Sequence, residues 1–233
     1  MMKKLLLFTA ILIFSFAFGA KSQSKDCNFY FPTEKGTIVE TTYFDKKHKE
    51  TSKLFQEVLD YSSSNGVTEV KIQNRVDDPE LDSALLQTYS LRCENGEFYI
   101  NMEGYLDKGS LSKYQGMDFE INSEKMTIPS NLSKGQVLDD GSVSVIISNS
   151  GMKLMTMTVH VTNRKVEGFE KVTTSAGTFD CVKISFDSEM KMLFKVKVSG
   201  VQWFSKNVGI VKSEDYDKKG KLTGSTEITK ITK

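Results

Sequence analysis

Apolar and polar residues alternate with a period of two along most of the chain, the spacing that sends successive side chains to opposite faces of a strand. Between Glu189 and Ser199, Met190, Met192, Phe194, Val196 and Val198 share one parity, while Lys191, Lys195, Lys197 and Ser199 share the other. Val143, Val145 and Ile147 alternate with serines, and Val182, Ile184 and Phe186 alternate with Lys183, Ser185 and Asp187. Turn-forming pairs punctuate these runs at hairpin spacing: Asn65-Gly66, Asn95-Gly96, Asp140-Gly141, Ala176-Gly177, Lys206-Asn207 and Lys219-Gly220. The pattern predicts strands over residues 36–45, 52–62, 67–76, 84–93, 97–103, 118–128, 142–149, 153–168, 178–188, 189–205, 208–217 and 221–232.

Helix signals are sparse. Asp77-Asp78-Pro79-Glu80 combines an acidic cap with a proline suited to a first turn, which predicts one or two turns through Ala84, and residues 111–116 offer another. Many antiparallel strands with short connections predict an all-β fold, a single curved sheet or half-open barrel rather than a parallel doubly wound sheet. No proline- or serine-rich linker divides residues 23–233, which read as one domain.

The alternation breaks down at the start of the chain. Lys3 and Lys4 precede the run Leu5 to Phe18, apolar except for Thr9 and Ser15, and Gly19-Ala20 follows. This is the pattern of a secretory signal peptide over residues 1–22, with Ala20-Lys21-Ser22 as the best small-x-small cleavage site. At roughly 14 residues the run falls short of the ~20 that span a bilayer as a helix. Ser24-Lys25-Asp26 before Cys27 does not fit a lipidation site, so a periplasmic or secreted protein without a lipid anchor is expected.

Composition changes little in this picture. The chain of 233 residues carries 31 Lys plus Arg against 30 Asp plus Glu; removing residues 1–22, with Lys3, Lys4 and Lys21, leaves 28 cations and 30 anions. A near balance with only three arginines disfavours nucleic-acid binding through bulk charge. No later segment approaches 18 consecutive apolar residues, so an integral membrane protein is not expected after cleavage.

Three cysteines follow the signal, and export places them where disulfides persist. In an up-and-down meander Cys27 precedes the first strand and Cys93 lies at the fourth-to-fifth hairpin, the same end of the sheet, so a Cys27–Cys93 bridge is expected with Cys181 a buried free thiol. The chemistry of a catalytic or metal centre is missing from the sequence. His48 and His160 are the only histidines and far apart, no Cys-x-x-Cys occurs, and neither a Gly-x-Ser-x-Gly elbow nor a phosphate-binding glycine loop is present. The acidic groups Asp77-Asp78, Asp139-Asp140 and Glu214-Asp215 with Asp217 lie beside turns or in an exposed strand and read as solvated. No cofactor, metal or catalytic residue is assigned.

The remaining feature is a supply of adaptable apolar side chains. Met155, Met157, Met190, Met192, Phe194 and Trp203 form a candidate apolar pocket, since methionine can line an irregular cavity as readily as it fills a core. Trp203 and Phe204 are adjacent and point to opposite faces, one toward the core and the other toward a pocket edge or partner surface.

The segments "CNFYFPTEKGTIVETTYFDKKHK", "CENGEFYINM", "PSNLSKGQVLDD", "NRKVEGFEKVTTSAGTFDCVKISF" and "VQWFSKNVGIVKSEDYDKKGKLTGSTEITKI" resemble the TapB-like exported proteins, a family related to a domain-of-unknown-function barrel group. The resemblance implies a single antiparallel β domain of YmcC-like or lipoprotein-carrier-like type in a bacterial cell envelope, and it brings no activity or site residues with it. Within it, Gly177 and Gly209 are expected at positive φ where the chain reverses. The expected function is a non-catalytic exported protein that binds an apolar or lipid-like ligand or a lipidated envelope partner. The alternative is a structural module of the envelope with a filled core.

Overall fold

The computed structural model describes residues 28–77, 85–102, 117–192 and 194–233. The signal sequence, Cys27 and the helical turns expected after Asp77 and over 111–116 lie outside these residues.

Thirteen strands form one sheet in which every pairing is antiparallel. They are β1 (Ile38–Asp45), β2 (Glu50–Ser64), β3 (Val67–Asp77), β4 (Leu85–Glu94), β5 (Glu97–Ile100), β6 (Asp118–Ser123), β7 (Met126–Pro129), β8 (Gly141–Asn149), β9 (Met152–Thr174), β10 (Gly177–Lys191), β11 (Lys195–Ser205), β12 (Gly209–Tyr216) and β13 (Leu222–Thr232). The described residues contain no α-helix. Two-residue connections Asn65-Gly66 and Asn95-Gly96, with φ of 51° and 77° and of 54° and 80°, set the β2–β3 and β4–β5 registers. Both residues at positive φ is the geometry whose twist matches that of the flanking strands.

The spatial order is β6-β8-β9-β10-β11-β12-β13-β1-β2-β3-β4-β5-β7. The sheet is therefore a meander in two blocks, with the last strand β13 beside the first strand β1 through pairs such as Thr42↔Glu227. It curls without closing its hydrogen-bond ladder, because β6 and β7 are the two edges. The single strand expected over 118–128 is instead two: the chain pairs with β8 as far as Ser123, passes through Glu124 and Lys125, and then pairs with β5 from Met126. One extended segment thus belongs to both edges. The two sides of the curl come together where β7 packs on the start of β8: a Cβ at Gly141 would lie 2.8 Å from that of Met126.

The second correction is at 189–205, expected as one strand. Residues up to Lys191 complete β10 and β11 begins at Lys195, with Lys191 and Lys195 paired across the turn. Apolar alternation runs on through this turn without a glycine or asparagine to mark it, which hid the reversal.

Arg164 of β9 fastens the seam between the edges. Its guanidinium is buried, and Nη1 donates to the Thr127 carbonyl of β7 at 3.0 Å and to the Asp139 carbonyl at 2.7 Å. Beside it the loop before β8 covers the β9 edge: Leu138 N–H donates to the Arg164 carbonyl, and Val166 N–H to that of Gln136.

Buried side chains gather in two clusters. One contains Phe29, Tyr30, Phe31, Phe98, Phe204 and the inward residues of β1 to β4; the other is built from Met102, Met126, Met157 and the valines and isoleucine of β8 and β9. Phe186 belongs to the second and sits at its border with the interior cavity.

Candidate functional site

The curl of the sheet encloses a cavity of about 580 Å³. Its closed end is an aromatic floor. The segment before β1 crosses this end, held by the Asn28 side-chain amide donating to the Ser130 carbonyl at 2.6 Å and by Asn207 N–H donating to the Phe29 carbonyl at 2.8 Å. Tyr30 stands edge-on to both Phe98 and Phe204, with centroids 5.6 and 5.9 Å away, and Phe29 packs edge-on to Phe98 at 5.1 Å. Gly209 lets the chain reverse beneath this segment: its φ is 115°, and a Cβ there would sit 3.5 Å from the Phe31 ring. Gly177, at φ 138°, likewise follows the positive-φ expectation.

The wall above the floor is mostly apolar, with Val39, Leu54, Leu91, Ile100, Phe186, Val198 and Ile228 turned inward by strand alternation and Ile210 brought inward by the register shift between β11 and β12. Two sets of polar groups interrupt it. Gln56 Nε2 donates to Asn74 Oδ1 at 3.1 Å and to the Tyr89 hydroxyl at 2.9 Å, and burial pushes the Tyr89 phenol up to about 12. Burial does the same to Tyr30, also to about 12, so both phenols are neutral hydrogen-bonding groups.

The second set centres on Asp215. On β12 the outward residues are Lys212, Glu214 and Tyr216, which bond to one another, and the inward ones are Ser213 and Asp215. Ser213 exchanges a 2.8 Å hydroxyl hydrogen bond with Thr226. Asp215 is the single charged side chain among the described residues lining the cavity. Its cross-strand neighbours on the two sides are both glycine, Gly200 of β11 and Gly224 of β13. Desolvation raises its carboxyl above the ordinary Asp range, and its negative charge adds to the burial that raises Tyr43. This overturns the reading of the Glu214-to-Asp217 group as wholly solvated. Asp215 has the parity of the buried Ser213, an alternation signal that the neighbouring charges obscured.

A raised carboxyl favours folding while protonated, so the protein is most stable with respect to this group below the unfolded Asp range, and that contribution is lost as pH rises through the folded value. The neighbouring titratable group on the wall is the neutral Tyr43; the facing residues of β10, β11 and β13, namely Ser188, Val198, Gln202, Thr223 and Thr226, carry no charge. Asp215→Asn is therefore expected to raise the melting temperature at pH 7, with the gain shrinking toward about pH 3; thermal unfolding followed by circular dichroism at both values checks it.

The methionine-rich set proposed from the sequence lies elsewhere. Met157 is fully buried in the second cluster, and Met155, Met190 and Met192 pack against that cluster, so the structure brings the four together as core packing and none lines the cavity. Phe194 is 82% exposed, next to the β10–β11 turn, because the reversal there ends the parity that grouped it with the methionines. Trp203 lies on the face of β11 opposite Gln202 and Phe204. Its Nε1 donates to Glu170 at 2.5 Å, and Lys183 and Lys212 stand 4.9 and 5.5 Å over its ring, so ion pairs roof it on the outer side. Phe204 is the member of that pair that reaches the cavity.

Cys93 is disulfide-bonded and fully buried, and Cys181 is the free, buried cysteine. Burial, reinforced by Asp180 and Glu170, pushes the Cys181 thiol up to about 11, which keeps it protonated and unreactive near neutral pH. Among the described residues no three His, Cys, Asp or Glu side chains are placed to hold a metal ion, and His160 is exposed on β9.

Gly200 couples the wall to the second cluster. A Cβ at this position would fall 2.3 Å from the Phe186 ring, whose edge occupies the space above the glycine. Gly200→Ala is expected to cost about 1–3 kcal/mol by forcing the ring off its position, and adding Phe186→Leu is expected to recover part of the loss. Urea unfolding of the single and double variants measures both.

An open, single-sheet antiparallel half-barrel with a plugged end and an interior cavity defines the class of protein. The chain belongs to the DUF3108-like family, whose model matches residues 34–228. Two solved structures share the fold. One is a Bacteroides fragilis protein described as exported, with a YmcC-like fold; the other is a Parabacteroides distasonis protein described as a lipoprotein. Each is 24% identical, with a TM-score of 0.75, over 89% of this chain and 100% of its own. No curated protein matches the chain.

Proposed function

We propose that this is an exported envelope protein that acts by holding an apolar, lipid-like ligand inside the half-barrel, without catalysis. The observation that carries the reading is the cavity of about 580 Å³, of the size that accommodates small ligands, with an aromatic floor and a mostly apolar wall. An interior left open favours a binding role over a solid-cored interaction module. Export accords with the signal-like pattern of residues 1–22 and with the descriptions of the two structural relatives as an exported protein and a lipoprotein. The narrower likeness to TapB-like proteins and a Cys27–Cys93 bridge without lipidation at Cys27 belong to the same proposal.

Native mass spectrometry of protein purified from its own envelope, followed by organic extraction, tests it. A stoichiometric apolar species lost on extraction is the expected result. Ligand-free protein that also fails to take up an apolar fluorescent probe overturns the reading.

A further inference from the structure

We infer that the cavity selects ligands with a cationic, amine-type head on an apolar tail, and that Asp215 is the residue that recognises the head. The inference rests on the ligand-holding reading above and adds the chemical class of the ligand. Three observations carry it.

First, the wall has one charged side chain among the described residues, and it is an acid. No hydrogen bond or ion pair of the Asp215 carboxylate occurs within the described protein, whereas Glu214, one residue away on the outer face, is paired with Lys212 and with the Tyr216 hydroxyl. A partly desolvated carboxylate without a partner is a standing cost that a bound cation would offset.

Second, the sheet gives it no polar cross-strand partner. Gly200 and Gly224 occupy both cross-strand positions, so neither partner residue brings a donor to the carboxylate, and the space above Gly200 is taken by the apolar Phe186 ring. Two neutral groups of the lining stand close to it, Tyr43, which feels its charge, and Thr223, whose hydroxyl donates to the Asp215 backbone carbonyl at 3.0 Å; both hydroxyls can accept hydrogen bonds from an ammonium group.

Third, charge and apolar surface are separated along one axis. Asp215 lies toward the β12–β13 turn, and the aromatic floor lies by Gly209 at the other end of β12. Six residues of strand separate them, about 20 Å at ~3.3 Å per residue. A ligand with its head at Asp215 would lay its tail along the apolar wall toward Tyr30, Phe98 and Phe204. A bare metal ion does not fit this arrangement, since hard cations take six or more oxygen ligands and usually several charged ones, and the wall has one carboxylate among neutral hydroxyls.

The test is titration of the purified protein, by displacement of a fluorescent apolar probe, with three ligands of equal chain length below their micelle concentrations: dodecylamine, dodecanol and dodecanoate. Dodecylamine is expected to bind about tenfold more tightly than dodecanol, and dodecanoate most weakly. In Asp215→Asn the preference for the amine is expected to vanish while dodecanol still binds, and the thermal stability predicted above for this variant shows that it is folded. Asp180→Asn, at an exposed carboxylate that does not line the cavity, is expected to leave the preference intact. Equal binding of the three ligands by the unaltered protein, or the same loss of preference in both variants, overturns the head-group assignment and leaves the cavity reading standing. Failure of all three to bind overturns the cavity reading itself, and the assignment with it.

Discussion

Arg164→Ala is expected to lower the free energy of unfolding by about 3–5 kcal/mol. The guanidinium is 2% exposed and donates from one nitrogen to two carbonyls that belong to different stretches of chain, Thr127 on β7 and Asp139 ahead of β8. Removing it leaves those carbonyls without this donor at a place where the sheet has no ladder to supply another; an orphaned buried polar group costs about 1–3 kcal/mol. The aliphatic stem is lost with it, which adds a packing term. Arg164→Lys keeps the charge, but its shorter side chain does not carry the ammonium to the position Nη1 holds between the two carbonyls, and an intermediate loss is expected. Urea unfolding measures the change, and hydrogen exchange should localise the early opening to β7 and the loop before β8. A loss below about 1 kcal/mol for the alanine variant would show that the seam is held by other contacts.

Phe98→Ala is the second large effect, at about 3–5 kcal/mol. Phe98 is 3% exposed, meets Phe29 and Tyr30 edge-on, and forms part of the cavity floor. The side chains around it are tied by Asn28 to Ser130 and by Phe29 to Asn207, so they cannot collapse freely into the space, and the cost of the void adds to the lost burial. The same change should deepen the cavity. A longer-chain apolar ligand is then expected to gain affinity relative to a shorter one, even as the protein loses stability. Chemical unfolding and a chain-length series of apolar probes separate the two consequences.

Much of the fold was legible because alternation is a local property. Val143, Val145 and Ile147 announce β8 by themselves, and Asn65-Gly66 and Asn95-Gly96 announce their hairpins because few residues other than glycine and asparagine accept positive φ. What local pattern does not encode is the partner. Residues 118–128 read as one continuous strand because the local pattern is that of extended chain; only the tertiary structure divides them between β8 and β5. The β13–β1 pairing, between segments almost two hundred residues apart, is invisible for the same reason. The candidate site suffered more. The methionines were conspicuous by type, yet buried methionine is equally suited to filling a core, and that is where four of them pack. Asp215 was inconspicuous among the acids around it, and its significance comes from two glycines on other strands.

Both ends of the described chain leave from the floor. Asn28 is tied there to Ser130, and Lys233 forms an ion pair with Glu34 just before β1. Any tether on the N-terminal side therefore pulls on the plugged end, through the same backbone that packs Phe29, Tyr30 and Phe31 into place. The consequence is one of orientation: a molecule held at a surface by that side would present the Asp215 end outward, to whatever arrives, and would keep its sealed base toward the point of attachment.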